Sequence, residues 1–190
     1  MARAGLDQQI VLLAAAEIAD VQGLDEVTLA TLAQKLGVRT PSLYNHVSGL
    51  PGIRKQLSIY GMNRLTDTLA RAAAGQTKDD AVRSLARAYL GFVREHPGLY
   101  EATHRLPDLE DEQVKAAAEG TVNVVLGVLQ GYGLEGAAAI HTIRGLRSLL
   151  HGFASIEQQG GFGMPLDLDT SFRLLIDTFL AGIHSLYAKI

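Results

Sequence analysis

The chain is expected to be all-α, with about nine helices, and three observations predict this. Apolar residues recur at three- and four-residue intervals along most of the 190 residues, strand-like alternation is nearly absent, and Gly or Pro stands at most of the boundaries between periodic segments. The first helix is expected over about residues 6–22, stopped by Gly23, with Ile10, Leu13, Ala14 and Ile18 facing inward. Thr28 is a suitable N-cap for a second helix whose Leu29, Leu32, Ala33 and Leu36 follow a helical period, while Thr31, Gln34 and Lys35 take the opposite face. Gly37 ends it, because glycine accepts a left-handed backbone without a Cβ clash. Thr40 is then expected to cap a third helix with Pro41 at its first position. A longer fourth helix should begin with Pro51 at its first position and run to about residue 74, with Ile53, Leu57, Tyr60, Leu65 and Leu69 inward.

Gly75-Gln76-Thr77 is the expected boundary before a fifth helix over 78–95, which His96-Pro97-Gly98 interrupts. A sixth follows over about 97–105, then an acidic loop over 107–112, then a seventh to about 132 that is apolar nearly all round. The eighth is expected over about 135–159, closing in Gly160-Gly161-Phe162-Gly163, and the last runs from 167 or 169 to the end of the sequence. The implied organisation is a three-helix helix-turn-helix domain over 1–50, a linking helix over 51–77 and a larger helical domain over 78–190.

Composition narrows the function. The formal net charge is −3, yet no Asp or Glu occurs from Val27 to Thr66, where Lys35, Arg39, Arg54, Lys55 and Arg64 stand. A local cationic segment on a mildly acidic chain has the sign needed to meet phosphates in one orientation. Two short helices joined at Gly37, the second tipped with Thr40, Ser42, Asn45 and His46, suit the reading of base edges in a major groove. The absence of cysteine removes disulfides, thiolate metal sites and thiol catalysis, and suits a cytoplasmic location. The apolar run from Ile10 to Ala16 belongs to an amphipathic helix bearing Glu17 and Asp20, so neither a targeting segment nor a membrane partner is expected. No nucleophile elbow, His-Glu-x-x-His or phosphate-cradling glycine loop is present, so no catalysis, metal or cofactor is expected. A helical small-molecule sensor or adaptor without DNA binding is the alternative, because basic residues are sparse.

The last helix carries an apolar stripe of Phe172, Ile176, Phe179, Leu180, Ile183 and Tyr187. It either packs within the chain or, with Ile140 and Leu150 of the eighth helix, forms a four-helix interface between two copies.

The segment Gly37-Val38-Arg39-Thr40-Pro41-Ser42-Leu43-Tyr44-Asn45-His46-Val47 resembles the reader of the tetracycline-repressor-like (TetR) regulators, and the likeness extends over the first 60 or so residues. Leu150-His151-Gly152-Phe153 followed by Gly160-Gly161-Phe162 is similar to the family's Trp-His-Gly subtype, without its tryptophan. The resemblance implies an effector-controlled homodimeric regulator, most often a repressor, on an inverted-repeat operator in double-stranded DNA. It implies that Thr40, Pro41, Ser42, Asn45 and His46 approach bases and that Thr28, Tyr44 and His46 touch phosphates. The family's usual lysine at the start of the fourth helix is Leu50 here, and Arg54 or Lys55 is the expected substitute, with Arg39 also on the backbone. A cavity for an unknown small-molecule effector is implied in the C-terminal domain. Polar groups on its otherwise apolar faces are the expected lining: Tyr89, Phe92, His96, Tyr100, His104, His141, Arg144, Arg147 and His151.

Overall fold

A computed structural model describes residues 6–105 and 110–187. Among the described residues there are nine α-helices and no strand: α1 (Gln8–Gln22), α2 (Leu29–Leu36), α3 (Thr40–Leu43), α4 (Gly49–Ala73), α5 (Lys78–Glu95), α6 (Pro97–His104), α7 (Glu112–Gln130), α8 (Gly136–Gln158) and α9 (Leu168–Tyr187). A 3-10 turn, Leu24–Glu26, separates α1 from α2. The all-helical class expected from sequence is the observed one. Half of the expected acidic loop, residues 107–109, and the last helix beyond Tyr187 lie outside the described residues. No described helix is long and apolar enough to cross a membrane.

The chain divides into two compact units, each built from separate stretches. One takes the described residues of Met1–Arg64 and Glu95–Glu119, the other those of Leu65–Arg94 and Gly120–Ile190. The division falls inside α4 and α7 rather than at Gly75–Thr77, and it places α6 with the N-terminal helices.

In the first unit Val11, Ala15, Ile18, Leu24, Leu32, Leu43, Ile53, Leu57 and Leu99 are fully or almost fully buried. Asp7 caps α1, its Oδ1 accepting from Ile10 N at 2.7 Å. Leu13, expected inward, is instead 45% exposed; the helix turns Val11, Ala15 and Ile18 to the core. Thr28 caps α2 as expected, and reciprocally: Thr31 N donates to Thr28 Oγ1 at 3.1 Å and Thr28 N donates to Thr31 Oγ1 at 3.0 Å. Gly37 ends α2 at φ 63°, with Val38 N donating to Ala33 O and Gly37 N to Gln34 O, which satisfies two terminal carbonyls. Two starts differ from expectation. Arg39, still extended, is the cap of α3, so Thr40 and Pro41 are its first two residues. α4 begins at Gly49, with Pro51 in its first turn, where a missing N–H has no intrahelical partner to lose.

α6 is held between α1 and α4 by close backbone approach. A Cβ built on Gly98 would lie 1.9 Å from Ala19 O, and one on Gly61 would lie 2.8 Å from Leu99 O. Asp20 of α1 completes the joint. Its Oδ1 accepts from Leu99 N at 2.7 Å and its Oδ2 lies 2.8 Å from His96 Nδ1, so a carboxylate from another helix caps the N-terminus of α6. Ser58 Oγ donates to Ala102 O from the α4 side.

In the second unit α5 buries Val82, Leu85, Ala86, Tyr89, Leu90, Phe92 and Val93. α9 turns Phe172, Ile176, Leu180 and Ile183 into the same unit. The Phe153 ring lies 4.9 Å from that of Phe172 and 4.8 Å from that of Phe162, closing the connection between α8 and α9. Arg83 of α5 donates from Nε to Asp177 of α9 at 2.9 Å. Asp79 accepts from Tyr132 Oη at 2.8 Å and lies 2.9 Å from His184 Nε2. Burial works to raise the Asp79 pKa, but hydrogen bonds from His184 and Tyr132 outweigh it and hold the carboxyl below its ordinary value.

Gly98→Ala is expected to destabilise the fold by about 3 kcal/mol, the upper end of overpacking costs, because neither backbone at the joint has a flexible side chain to yield. Gly127→Ala in α7, where a Cβ meets nothing within 4 Å, is expected to stabilise by roughly 0.5–1 kcal/mol. Urea denaturation of the two variants checks both signs.

Candidate nucleic-acid interface and effector-domain surfaces

The α2–α3 corner is built by local rules. The Thr28 cap fixes where α2 begins, Gly37 fixes where the chain turns, and Leu43, fully buried, anchors α3 against the core. α3 is a single helical turn, and the chain continues through Tyr44–His46, with His46 N and Val47 N both donating to Leu43 O. Tyr44 is 59% exposed, and Pro41 and Asn45 are exposed with it. Thr40, Ser42 and His46 are half-buried. The Thr28 hydroxyl is half-buried in the reciprocal cap. The expected reading tip therefore stands on one exposed corner of the first unit.

The cations of the acid-free stretch divide in two. Lys35 pairs with Glu17 of α1 at 2.7 Å. Lys55, expected beside phosphate, pairs with Asp111, which also accepts from Gln113 N and Val114 N at the start of α7. The hydrogen bond from Lys55 holds the Asp111 carboxyl below its usual range. Its separation of 56 residues from Lys55 hid this partner from any local reading of the sequence. Arg64 lies against Tyr60 and His96. Among the described residues no carboxylate lies against Arg39 or Arg54, both exposed, and these are the charges left for phosphate.

The expected effector residues are divided between the two units. His96, Tyr100 and His104 belong to the first unit, where His96 is bound to Asp20 and His104 stacks edge-on against the buried Tyr100 at 4.5 Å. Tyr89, Phe92, His141, Arg144, Arg147 and His151 belong to the second. Tyr89 and Phe92 are core residues, His141, Arg144 and Arg147 point to solvent, and His151 is half-buried. Helical period places His141, Arg144 and His151 on related faces of α8, and of the three His141 and Arg144 are exposed. What the second unit does contain is a groove of about 440 Å³ between α5 and the first turns of α9, lined by none of these nine.

The expected interface stripe lies largely inside the second unit. Leu150, Phe172, Ile176, Leu180 and Ile183 are 4% exposed or less, covered by their own chain, and Phe179 and Tyr187 are half-buried. The Phe179 ring lies against Gly145 of α8, 3.5 Å from where a Cβ would stand. Of the expected set only Ile140, at 38%, is an exposed apolar group, and α9 exposes Leu174, at 53%, on its opposite face. Among the described residues no three His, Cys, Asp or Glu side chains come together as metal ligands.

Residues 82–179 match the family model described as Tetracyclin repressor-like, C-terminal domain. YobS, an uncharacterised HTH-type transcriptional regulator of Bacillus subtilis (strain 168), is 42% identical over 183 residues, 95% of this chain and 94% of that one. A solved structure of a protein with unknown function from Rhodococcus sp. RHA1 is similar with a TM-score of 0.81 at 22% identity, over 94% of this chain and 95% of that one. A TetR variant from Acinetobacter baumannii AYE, solved in complex with minocycline, is similar with a TM-score of 0.72 at 21% identity, over 96% and 99% of the two chains. The two structures speak to the fold. None of these matches carries the Trp-His-Gly label.

The pairing of Lys55 predicts an acid-limb effect. A carboxyl whose folded pKa is depressed adds stability above its unfolded value near 3.8, and that stability is lost as pH falls through the folded value. Lys55→Met should therefore lower stability at pH 6 and flatten its decline between pH 5 and pH 3. Guanidinium denaturation across that range, giving a decline as steep as in the unsubstituted chain, would return Lys55 to the phosphate-binding set.

Proposed function

This chain belongs to the TetR family of helix-turn-helix, DNA-binding transcriptional regulators, and on that premise we propose that it is a repressor that holds an inverted-repeat operator as a homodimer and releases it to a small-molecule effector. The observation that carries the DNA half is the corner itself. A capped α2 and a left-handed Gly37 present exposed Tyr44 and Asn45, and uncompensated Arg39 and Arg54 stand in a stretch without a carboxylate.

The chemistry assigns the roles. Asn45, with Ser42 beside it, offers the paired donor and acceptor that suit a base edge. Thr40, Pro41 and His46 shape and flank that contact. Tyr44 and Arg39, with Arg54 in place of the lysine that Leu50 lacks, hold the backbone and set register without reading sequence. A dimer delivers two such corners, and the faces of α8 and α9 left outward are the ones available to make it. Ile140, Arg144 and Arg147 follow one helical row of α8, and Leu174, Thr178 and Ala181 follow one of α9. Support for the effector half is family likeness, including the minocycline complex of the Acinetobacter protein.

Fluorescence anisotropy on the operator tests the reader. Asn45→Ala should cost on the order of 1–3 kcal/mol at one or two base pairs of each half-site. Arg39→Ala and Arg54→Ala should weaken binding about equally on all sequences, each lowering the salt slope by roughly one. If the joint change of Ser42, Tyr44, Asn45 and His46 to Ala leaves specific binding intact in a folded chain, the corner is not the reader. For assembly, Leu174→Glu should give a folded monomer by light scattering, whereas Ile183→Glu should unfold the chain because Ile183 is core.

A further inference from the structure

We propose that the connection between α8 and α9, residues 159–167, is the apolar centre of a contact with a second copy of this chain. Five of the eleven large apolar side chains that stand exposed among the described residues fall between 156 and 174. They are Ile156 in the last turn of α8, Phe162, Met164 and Leu166 in the connection, and Leu174 in the second turn of α9, all at the end where the two helices join. Met164 and Leu166 are 76% and 69% exposed, and no charged residue occurs from Gln158 to Leu166. Monomeric proteins rarely leave an apolar patch this concentrated facing water, and such patches mark contact surfaces.

The segment is held in place at both ends. Gly160, at φ 67°, ends α8 with two bonds, Gly160 N donating to Glu157 O at 2.9 Å and Gly161 N to Ile156 O at 2.8 Å. A Cβ on Gly161 would lie 2.8 Å from Ile156 Cγ2, so the connection folds back tightly over the end of the helix. The Phe162 ring rests on that of Phe153, 4.8 Å away, and Asp167 accepts from Thr170 N at 3.3 Å to open α9. With both ends and Phe162 fixed, Met164 and Leu166 are presented to a partner at little further cost in ordering the backbone.

A second copy is the partner that fits, on the homodimer reading above. The outward rows of α8 and α9 named there contain Ile140 and Leu174 as their large apolar groups, beside arginines and small residues. A stable interface removes about 800 Å² from each partner and has an apolar centre, which those rows do not supply. The connection does, and it runs on to Leu174 through the first turn of α9. A lipid surface is the poorer match. Between Arg147 and Arg173 there is no Lys or Arg, and Glu157, Asp167 and Asp169 flank the segment, so it lacks the cations that hold an apolar element to anionic headgroups.

Sedimentation velocity of the full chain over a range of concentrations is the experiment. The unsubstituted chain should dimerise. Met164→Glu and Leu166→Glu together should raise the dimer dissociation constant by at least about a hundredfold, since by symmetry four apolar groups lose their cover and charges enter in their place. Both side chains lie outside the core, so the fold is expected to hold. Val21→Glu, on α1 and as exposed as Met164, should leave the constant unchanged. Because the chain has no cysteine, Met164→Cys provides a single thiol, and its reaction with a maleimide should slow as the dimer forms. A dimer that keeps its affinity in the double variant, or a thiol labelled at one rate throughout, overturns this proposal and leaves the homodimer reading standing. An unsubstituted chain that stays monomeric overturns both. Co-sedimentation of the unsubstituted chain, but not of the double variant, with vesicles of phosphatidylcholine and phosphatidylglycerol would assign the patch to lipid and overturn the proposal likewise.

Discussion

The first unit depends on the joint at which α6 meets α1 and α4 with no side chain between the backbones. Gly98 against Ala19 and Gly61 against Leu99 bring three helices closer than any residue with a Cβ permits. Asp20 then serves two ends at once, capping the first turn of α6 and engaging His96. Packed interiors transmit displacement rather than absorb it. α1 and α4 supply buried side chains to the same core as α2 and α3, so a movement of α6 reaches the α2–α3 corner through a continuous, close-packed path. The local rules that build the corner decide its shape, while the joint decides what it is attached to.

The second constraint is electrostatic, and it is stricter than the sequence suggests. Five cations stand in the acid-free stretch, but Lys35 and Lys55 are neutralised by Glu17 and Asp111 from outside it. Of the other three, Arg64 is half-buried against Tyr60 and His96, and Arg39 and Arg54 are exposed on either side of the expected reading tip. Guanidinium groups suit contact with phosphate, since they meet it through two parallel hydrogen bonds and give up their water at lower cost than an ammonium. Under the proposed function, a corner with so little charge to spare obtains its affinity from duplication, which would make assembly part of recognition.

What was legible in the sequence was what local chemistry specifies. Thr28 and Gly37 were readable because a cap and a left-handed turn involve residues three or four apart. The start of α3 was misplaced by one residue because proline fits either of the first two helical positions, and only the extended backbone of Arg39 decides between them. Periodicity identified the apolar stripe of α9 correctly but not what covers it, and the covering turned out to be this chain's own α5 and α8. The same limit applies to His141 and Arg144, where a shared helix face is visible in the sequence and its outward direction is not. The α5–α9 groove was invisible for a further reason: its four arginines come from two helices about 80 residues apart, and each reads singly as a solvated surface charge.

The central claim is that this chain recognises DNA by sequence through the α2–α3 corner of two copies. Its most direct test is selection of bound duplexes from a random pool by the purified protein at low salt. The account predicts enrichment of an inverted repeat whose half-sites are centred about one helical turn, or a multiple of it, apart. A pool that remains random after repeated rounds, or that converges on a single unrepeated site, would contradict it.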